Sequence, residues 1–399
     1  MRQRKTAGPI IAGMCAALVL SLAACGGGEG RTAPTGQAVP VPTSAPSAAP
    51  ETTNTAGLAT TGPAGPPVPR QQLSFPSAVV ASGSDIWVAD SGAQNGGTDS
   101  VAELSAASGR TIRVIPAKPY GLDGPDAVAV GGGAVWVANS NGNSMTEINA
   151  VTGALVRVVS AADYRLNGPD AVAVDGAGVW VANSNGNSVT EINAATGGLV
   201  RVVSAARYQL SDPTSITAAR SSIWVPNSYS NSVTEINAAT GGLVRVLAAA
   251  RDQFNAPDAV AVDGSAVWVA NAGGSSVTEL SAATGAPIRV VVLVPAAYAA
   301  SGAGVPYAIA ADGTGVWVVT NNGVKAGGPP DGSVAEIGTV TGRLMRNVAP
   351  ALVADGNAGG SIAADGTSIL MANWGMESNR GWVARFSTAS GKVVWENDS

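Results

Sequence analysis

From Pro76 onward, short apolar runs alternate with turns rich in Gly, Asn and Asp, and the whole alternation repeats along the chain. The clearest copy, PDAVAVDGAGVWVANSNGNSVTEINAATGGLVRVVSAA from Pro169 to Ala206, holds four runs: Ala171 to Val174, Val179 to Ala182, Val189 to Ile192 and Leu199 to Val203. Short β-rich runs divided by turn residues, with no helical periodicity, read as strands. Copies begin at Pro76, Pro125, Pro169, Pro213, Pro257 and Pro306, and a seventh at Gly359 keeps the spacing without the proline. Seven copies of about 44 residues with four strands each predict an all-β fold, a seven-bladed β-propeller with four antiparallel strands per blade. The second run is apolar on both faces, as expected of a strand between packed sheets. Trp87, Trp136, Trp180, Trp224, Trp268 and Trp317 hold one register in it, with Leu370 in the seventh copy, which predicts a packing layer between blades. Asp-Gly between the first two runs of copies three, five, six and seven is a favoured hairpin turn. Because the strands run in order from Pro76 to Glu396, the ring is expected to close by packing copy seven against copy one, with no strand exchanged.

Spacing separates the two faces of such a ring. The distance from the proline position to the tryptophan position is 11 in every copy, and from the third-strand position (Glu191 in copy three) to the fourth-strand position (Arg201) it is 10. From the second strand to the third it is 11 in copies two to five but 16, 19 and 15 in copies one, six and seven, and the connection into copy six is also lengthened. In an antiparallel blade these lengthened connections all lie on one face, and copies six, seven and one are neighbours only in a closed ring. Long loops on a rigid scaffold are where binding residues concentrate. The loops Ser91 to Ser100, Asn321 to Ser333, Trp374 to Trp382 and Leu293 to Val305 carry Gln94, Asp99, Lys325, Asp331, Trp374, Glu377, Arg380, Trp382 and Tyr298. Aromatic faces beside Glu377 and Arg380 suit a sugar, a peptide or a small amphipathic ligand. Drift in loop length, or Gly-rich loops with a few packing anchors, is the alternative.

Two polar rings accompany the repeat. Glu and Arg face each other across the third hairpin of the first six copies, as in Glu191 and Arg201, and are expected to be solvated pairs of small structural value. Asp126, Asp170 and Asp258 begin first strands, while Asp90, Asn139, Asn183, Asn227, Asn271 and Asn373 end second strands. Oxygen ligands around an axial opening, Asp90, Asp126, Asp170 and Asp258 among them, could hold a calcium or magnesium ion. Equally, each could satisfy backbone groups at its own strand end.

The start of the chain adds a location. Arg2, Arg4 and Lys5 precede an apolar run from Ile10 to Leu20 and the box Leu22-Ala23-Ala24-Cys25, which resembles a bacterial lipoprotein signal. The resemblance implies cleavage after residue 24, lipid attachment at Cys25 and a chain held on the extracytoplasmic face of a membrane. Residues 25–72, rich in Pro, Ala, Thr and Gly, cannot bury enough surface to order themselves and read as a tether, leaving 73–399 as the propeller. Loss of residues 1–24 removes three of 22 positive charges and none of 27 negative ones, so the remainder carries −8, a poor match to nucleic acid or to anionic lipid surfaces. Cys15 leaves with the signal, so no disulfide is expected. The chain has no histidine, which removes the commonest general base and every Ser-His or Cys-His arrangement.

With Val-Trp-Val-Ala-Asn and Asn-Ala-Ala-Thr-Gly-Gly around the ring, residues 76–398 resemble the NHL and YVTN-type propellers, including the streptogramin (virginiamycin B) lyase group. In that group a histidine and a bound magnesium open the substrate ring. With no histidine here, no catalytic residue carries over. The expectation is therefore a monomeric, lipid-anchored scaffold for a protein, a glycan or a small molecule. The alternatives are a metal-dependent lyase or hydrolase using carboxylates such as Asp90, Asp126 or Glu377, or a purely structural role.

Overall fold

The computed structural model describes residues 73–399 apart from 93–96, 249–251, 295–303, 322–332, 349–358, 375–380 and 399. Seven four-stranded sheets follow one another, each built of consecutive antiparallel strands paired in chain order. In blade 3 the strands are Pro169–Asp175, Gly178–Asn183, Ser188–Asn193 and Leu199–Ser204, each enclosing one of the apolar runs. The first strand of every blade lies against the first strands of both neighbours, blade 7 against blade 1 included, so these strands surround the axis and the fourth strands form the rim. Among the described residues no strand is exchanged to close the ring.

The seams between blades follow one packing rule. Ala171, Ala173 and Trp180 of blade 3 meet Ile216, Ala218, Ile223 and Val225 of blade 4, and the tryptophan register is buried around the ring. Small first-strand residues leave room for the neighbouring indole, and each indole removes on the order of 200 Å² from water, worth roughly 5 kcal/mol before ordering costs. A bulge at the start of the first strand, between Pro169 and Ala171 in blade 3, takes the intervening residue out of the ladder and re-aims its side chain. Asp126, Asp170 and Asp258 occupy this position, as do Ser77 and Tyr307.

The Glu–Arg pairs form as the hairpin spacing predicts, but they are not solvated ornaments. Glu191 and Arg201 are cross-strand partners, with Arg201 Nε 2.6 Å from Glu191 Oε2, and only 10% of the glutamate side chain is exposed. The arginine then crosses the seam, where Nη2 donates to Ala239 O of blade 4 at 3.3 Å. Arg113, Arg157, Arg245 and Arg346 likewise reach turn carbonyls of the following blade. This explains the turn glycine. Gly241 sits at φ +65°, and a Cβ there would meet Arg201 Cδ at 2.4 Å. The pairing thus joins blades as well as strands, which the spacing within one repeat could not show.

Short helices, absent from the strand reading, fill the connections after blades 1 to 3 at Ala117–Tyr120, Ala161–Tyr164 and Ala205–Tyr208. Their tyrosines donate to Gly153, Gly197 and Gly241 O of the next blade. At the closing seam the repeat chemistry changes. Arg385 Nη1 and Trp395 Nε1 both donate to Ala106 O of blade 1, at 2.7 and 2.9 Å, and Asn397 Nδ2 donates to Gly109 O at 2.6 Å.

Candidate functional site

The face that carries the lengthened connections has one sector where copy 1 departs from copies 2 to 4. Copies 2 to 5 end their second strand with asparagine, and Asn183 shows what it does there: its Nδ2 donates to Ser188 Oγ and Thr190 Oγ1, and its Oδ1 accepts from Asn167 N. Four residues before the third-strand glutamate, a second asparagine clasps the next blade. Asn143, Asn187 and Asn231 accept from the backbone N–H of Gly168, Asp212 and Ala256 at 2.6–2.7 Å.

Blade 1 has acids at both positions. Asp99 begins the third strand, Asp99–Ser105, and accepts from Gly124 N at 2.9 Å, keeping the clasp with a carboxylate. Asp90 is the next-to-last residue of the second strand, Asp85–Ser91, 1% exposed, and its carboxylate accepts from Phe75 N at 2.6 Å and from Ser74 N at 3.2 Å. Burial pushes the Asp90 carboxyl up to about 6; the two N–H donors oppose that and the charge of Asp99 adds to it. Asp126 comes in from blade 2, accepting from Ser140 Oγ and from Ser91 Oγ; burial raises it, the two hydroxyls oppose, and Asp99 again raises it. Three acids thus influence one another at the blade 1–2 mouth.

The same corner anchors the entry of the chain. Leu73 O accepts from Gly381 N at 2.8 Å, and Ser91 N donates to Phe75 O at 2.9 Å. Residues 73–75 therefore tie the root of the blade 7 connection, which ends at Gly381, to the root of the blade 1 connection, which begins at Ser91. Gly381 is required there, because a Cβ would lie 2.1 Å from Pro76 Cδ.

The remaining candidates separate. Asp170 and Asp258 lie at the same bulge position two blades apart. Burial pushes Asp258 up to about 7, with Asp212 adding to it. Part of its surface stays open, and among the described residues no donor reaches its carboxyl; the position of Ser140 in blade 2 is Ala272 in blade 5. Trp382 lies in the third strand of blade 7, 9% exposed and packed in the core with Ile362, Ala384 and Tyr307, so its ring is a packing group. Trp374 closes the second strand, its backbone paired with Gly359 and Gly381. Gln94, Tyr298, Lys325, Asp331, Glu377 and Arg380 lie outside the described residues. For the magnesium that the lyase resemblance implies, the fit is poor. Asp90, Asp99 and Asp126 already receive N–H and O–H donors, and among the described residues no three metal-ligating side chains converge.

No family model and no curated protein matches the chain. Solved structures do. The WD40 repeats of RRP9 align over 78% of this chain and 93% of theirs, at 14% identity and a TM-score of 0.60. A streptogramin B lyase aligns over 69% and 82%, at 16% identity and 0.54. The virginiamycin B lyase of Staphylococcus aureus aligns over 68% and 83%, at 16% identity and 0.51. At such identities the likeness is one of fold, and propellers of one architecture carry unrelated activities.

The strap at residues 73–75 and the Asn clasps are what the sequence reading missed. Asn143, Asn187 and Asn231 were legible as turn residues of the repeat, but their partner is 25 residues away across a seam. The strap leaves no trace, since it carries no copy of the repeat.

Proposed function

We propose that this protein is a lipid-anchored, extracytoplasmic scaffold of the NHL/YVTN type that binds a protein, glycan or small molecule through the long connections of blades 6, 7 and 1. One observation carries the reading: every lengthened connection leaves the same face, and its three second-to-third-strand members belong to consecutive blades of the closed ring. The strap supports it, because it braces the roots of two of those connections on a buried carboxylate. Loop growth over a stiff frame is how propellers acquire recognition surfaces without disturbing their seams.

Two measurements test it. Affinity capture from an envelope extract by the wild-type propeller should yield a partner or ligand whose binding falls at least tenfold with the paired change Glu377→Ala and Arg380→Ala. Unchanged affinity removes the site. Replacement of Cys25 by Ser should move the protein from the membrane fraction to the soluble fraction, and retention in the membrane removes the anchor. Metal-dependent turnover of a lactone or cyclic depsipeptide would favour the enzymatic alternative suggested by the fold likeness to the streptogramin lyases.

A further inference from the structure

Copies 2 to 5 are so nearly identical that each position carries its own internal controls, and copy 4 departs along one face of its first strand. Where the neighbours have Ala127 and Ala129, Ala171 and Ala173, or Ala259 and Ala261, copy 4 has Ser215 and Thr217. Where copies 3 and 5 have Asp175 and Asp263, it has Ala219. Their Gly176 and Gly264 become Arg220, held at φ +59°. Alternate residues of a strand share a face, and this one turns toward blade 5, where Ala219 and Trp224 pack with Val260, Val262, Val267 and Val269.

Two findings mark that seam. The hydroxyls of Ser215 and Thr217, on residues 0% and 1% exposed, have no hydrogen-bond partner among the described residues. An orphaned buried hydroxyl is destabilising where a methyl would fit. At the short-turn end of the same seam lies a cavity of about 290 Å³. It occupies the room that Ala219 leaves, between Trp224 and the Glu235–Arg245 pair on one side and Val262 on the other. Arg220 spans it, donating from Nε and Nη2 to Gly264 O of blade 5 at 3.1 and 2.9 Å.

The charge at this position is inverted. Asp175, Glu191 and Arg201 in blade 3, or Asp263, Glu279 and Arg289 in blade 5, sum to −1, whereas Arg220, Glu235 and Arg245 in blade 4 sum to +1. Glu235 is already held, accepting from Ser222 Oγ at 2.6 Å and pairing with Arg245 Nε at 2.6 Å. What the seam lacks is the carboxylate that blades 3 and 5 supply from their own first strands.

We propose that the seam between blades 4 and 5 is a binding site for a small organic carboxylate, whose acid group takes the place of the missing aspartate beside Arg220 while its body lies against Trp224 and Val262. This site opens on the face opposite the long connections, so it goes beyond the scaffold reading, and either can fail without the other.

The test is calorimetric titration of the full chain with lactate and malate, with propane-1,2-diol and erythritol as uncharged counterparts. We expect saturable binding of at least one acid, at least tenfold weaker binding of its counterpart, and a loss of about tenfold or more in Ala219→Asp and in Arg220→Gly, the scale of one charge-assisted hydrogen bond. Both substitutions return copy 4 to the sequence of its neighbours. Should Ala219→Asp not fold, Arg220→Gly decides. Absence of saturable binding by either acid, equal binding of the diol, or wild-type affinity in a folded variant overturns the proposal.

Discussion

Replacing Asp90 by Asn puts into blade 1 the residue that blades 2 to 5 carry at the same strand end, and the structure gives a sign and a size for the consequence. The wild-type carboxyl is raised from its ordinary 3.8 to about 6, chiefly by burial. A folded-state value above the unfolded one means that the folded chain binds the Asp90 proton more tightly. Its contribution to stability is therefore fully present below about pH 4 and is lost as the pH rises to about 6, and that gap converts to about 3 kcal/mol. The amide introduced by Asp90→Asn cannot titrate, yet its oxygen can still accept from Phe75 N, and Ser100 stands where Ser144 receives Asn139 Nδ2. Asp99 and Asp126 are present in both proteins and cancel to first order. The stability of Asp90→Asn minus that of wild type, from denaturant unfolding at pH 3 to 8, should thus climb by about 3 kcal/mol and level off above about pH 7. A difference that stays flat, or that falls with pH, would show that the strap is not held by a reluctant carboxylate.

The seams offer three more tests. Arg201→Met removes the pair to Glu191 and the bond to Ala239 O; because the glutamate is buried but the arginine is 28% exposed and screened by solvent, about 1–2 kcal/mol should be lost at pH 7.5 and less at pH 4, where the glutamate, raised by burial, can protonate. Equal losses at both pH values would contradict this. Gly241→Ala, at φ +65° and against Arg201, should cost about 2 kcal/mol or more in chemical denaturation, whereas Gly176→Ala, at φ +52° but in open space, should cost about 1 kcal/mol; reversal of that order would mean that the arginine does not lie on the turn. Trp395→Ala breaks the bond to Ala106 O and the packing on Gly109, and should open the blade 7–1 seam first, seen as faster amide exchange in blades 1 and 7 than in blades 3 and 4. Uniform exchange would argue that the closing seam has no special dependence on that indole.

The sequence by itself determined the blade. Four apolar runs at fixed spacing, tryptophan in one register and Asp-Gly turns define strands, their order and the number of copies, because each of these is settled within about 44 residues and then repeated. Closure, and with it the adjacency of blades 6, 7 and 1, was inferable from seven complete blades. The seams were decided only by tertiary structure, because their partners lie outside any one copy. Arg201 reads as the mate of Glu191 until it crosses to Ala239, and Asp99 reads as a loop acid until it clasps Gly124. Departures such as Ala219 or Arg220 are visible as letters in the alignment of copies, but whether a missing carboxylate leaves a filled gap or a cavity depends on how the facing blade packs, and that is a property of the ring.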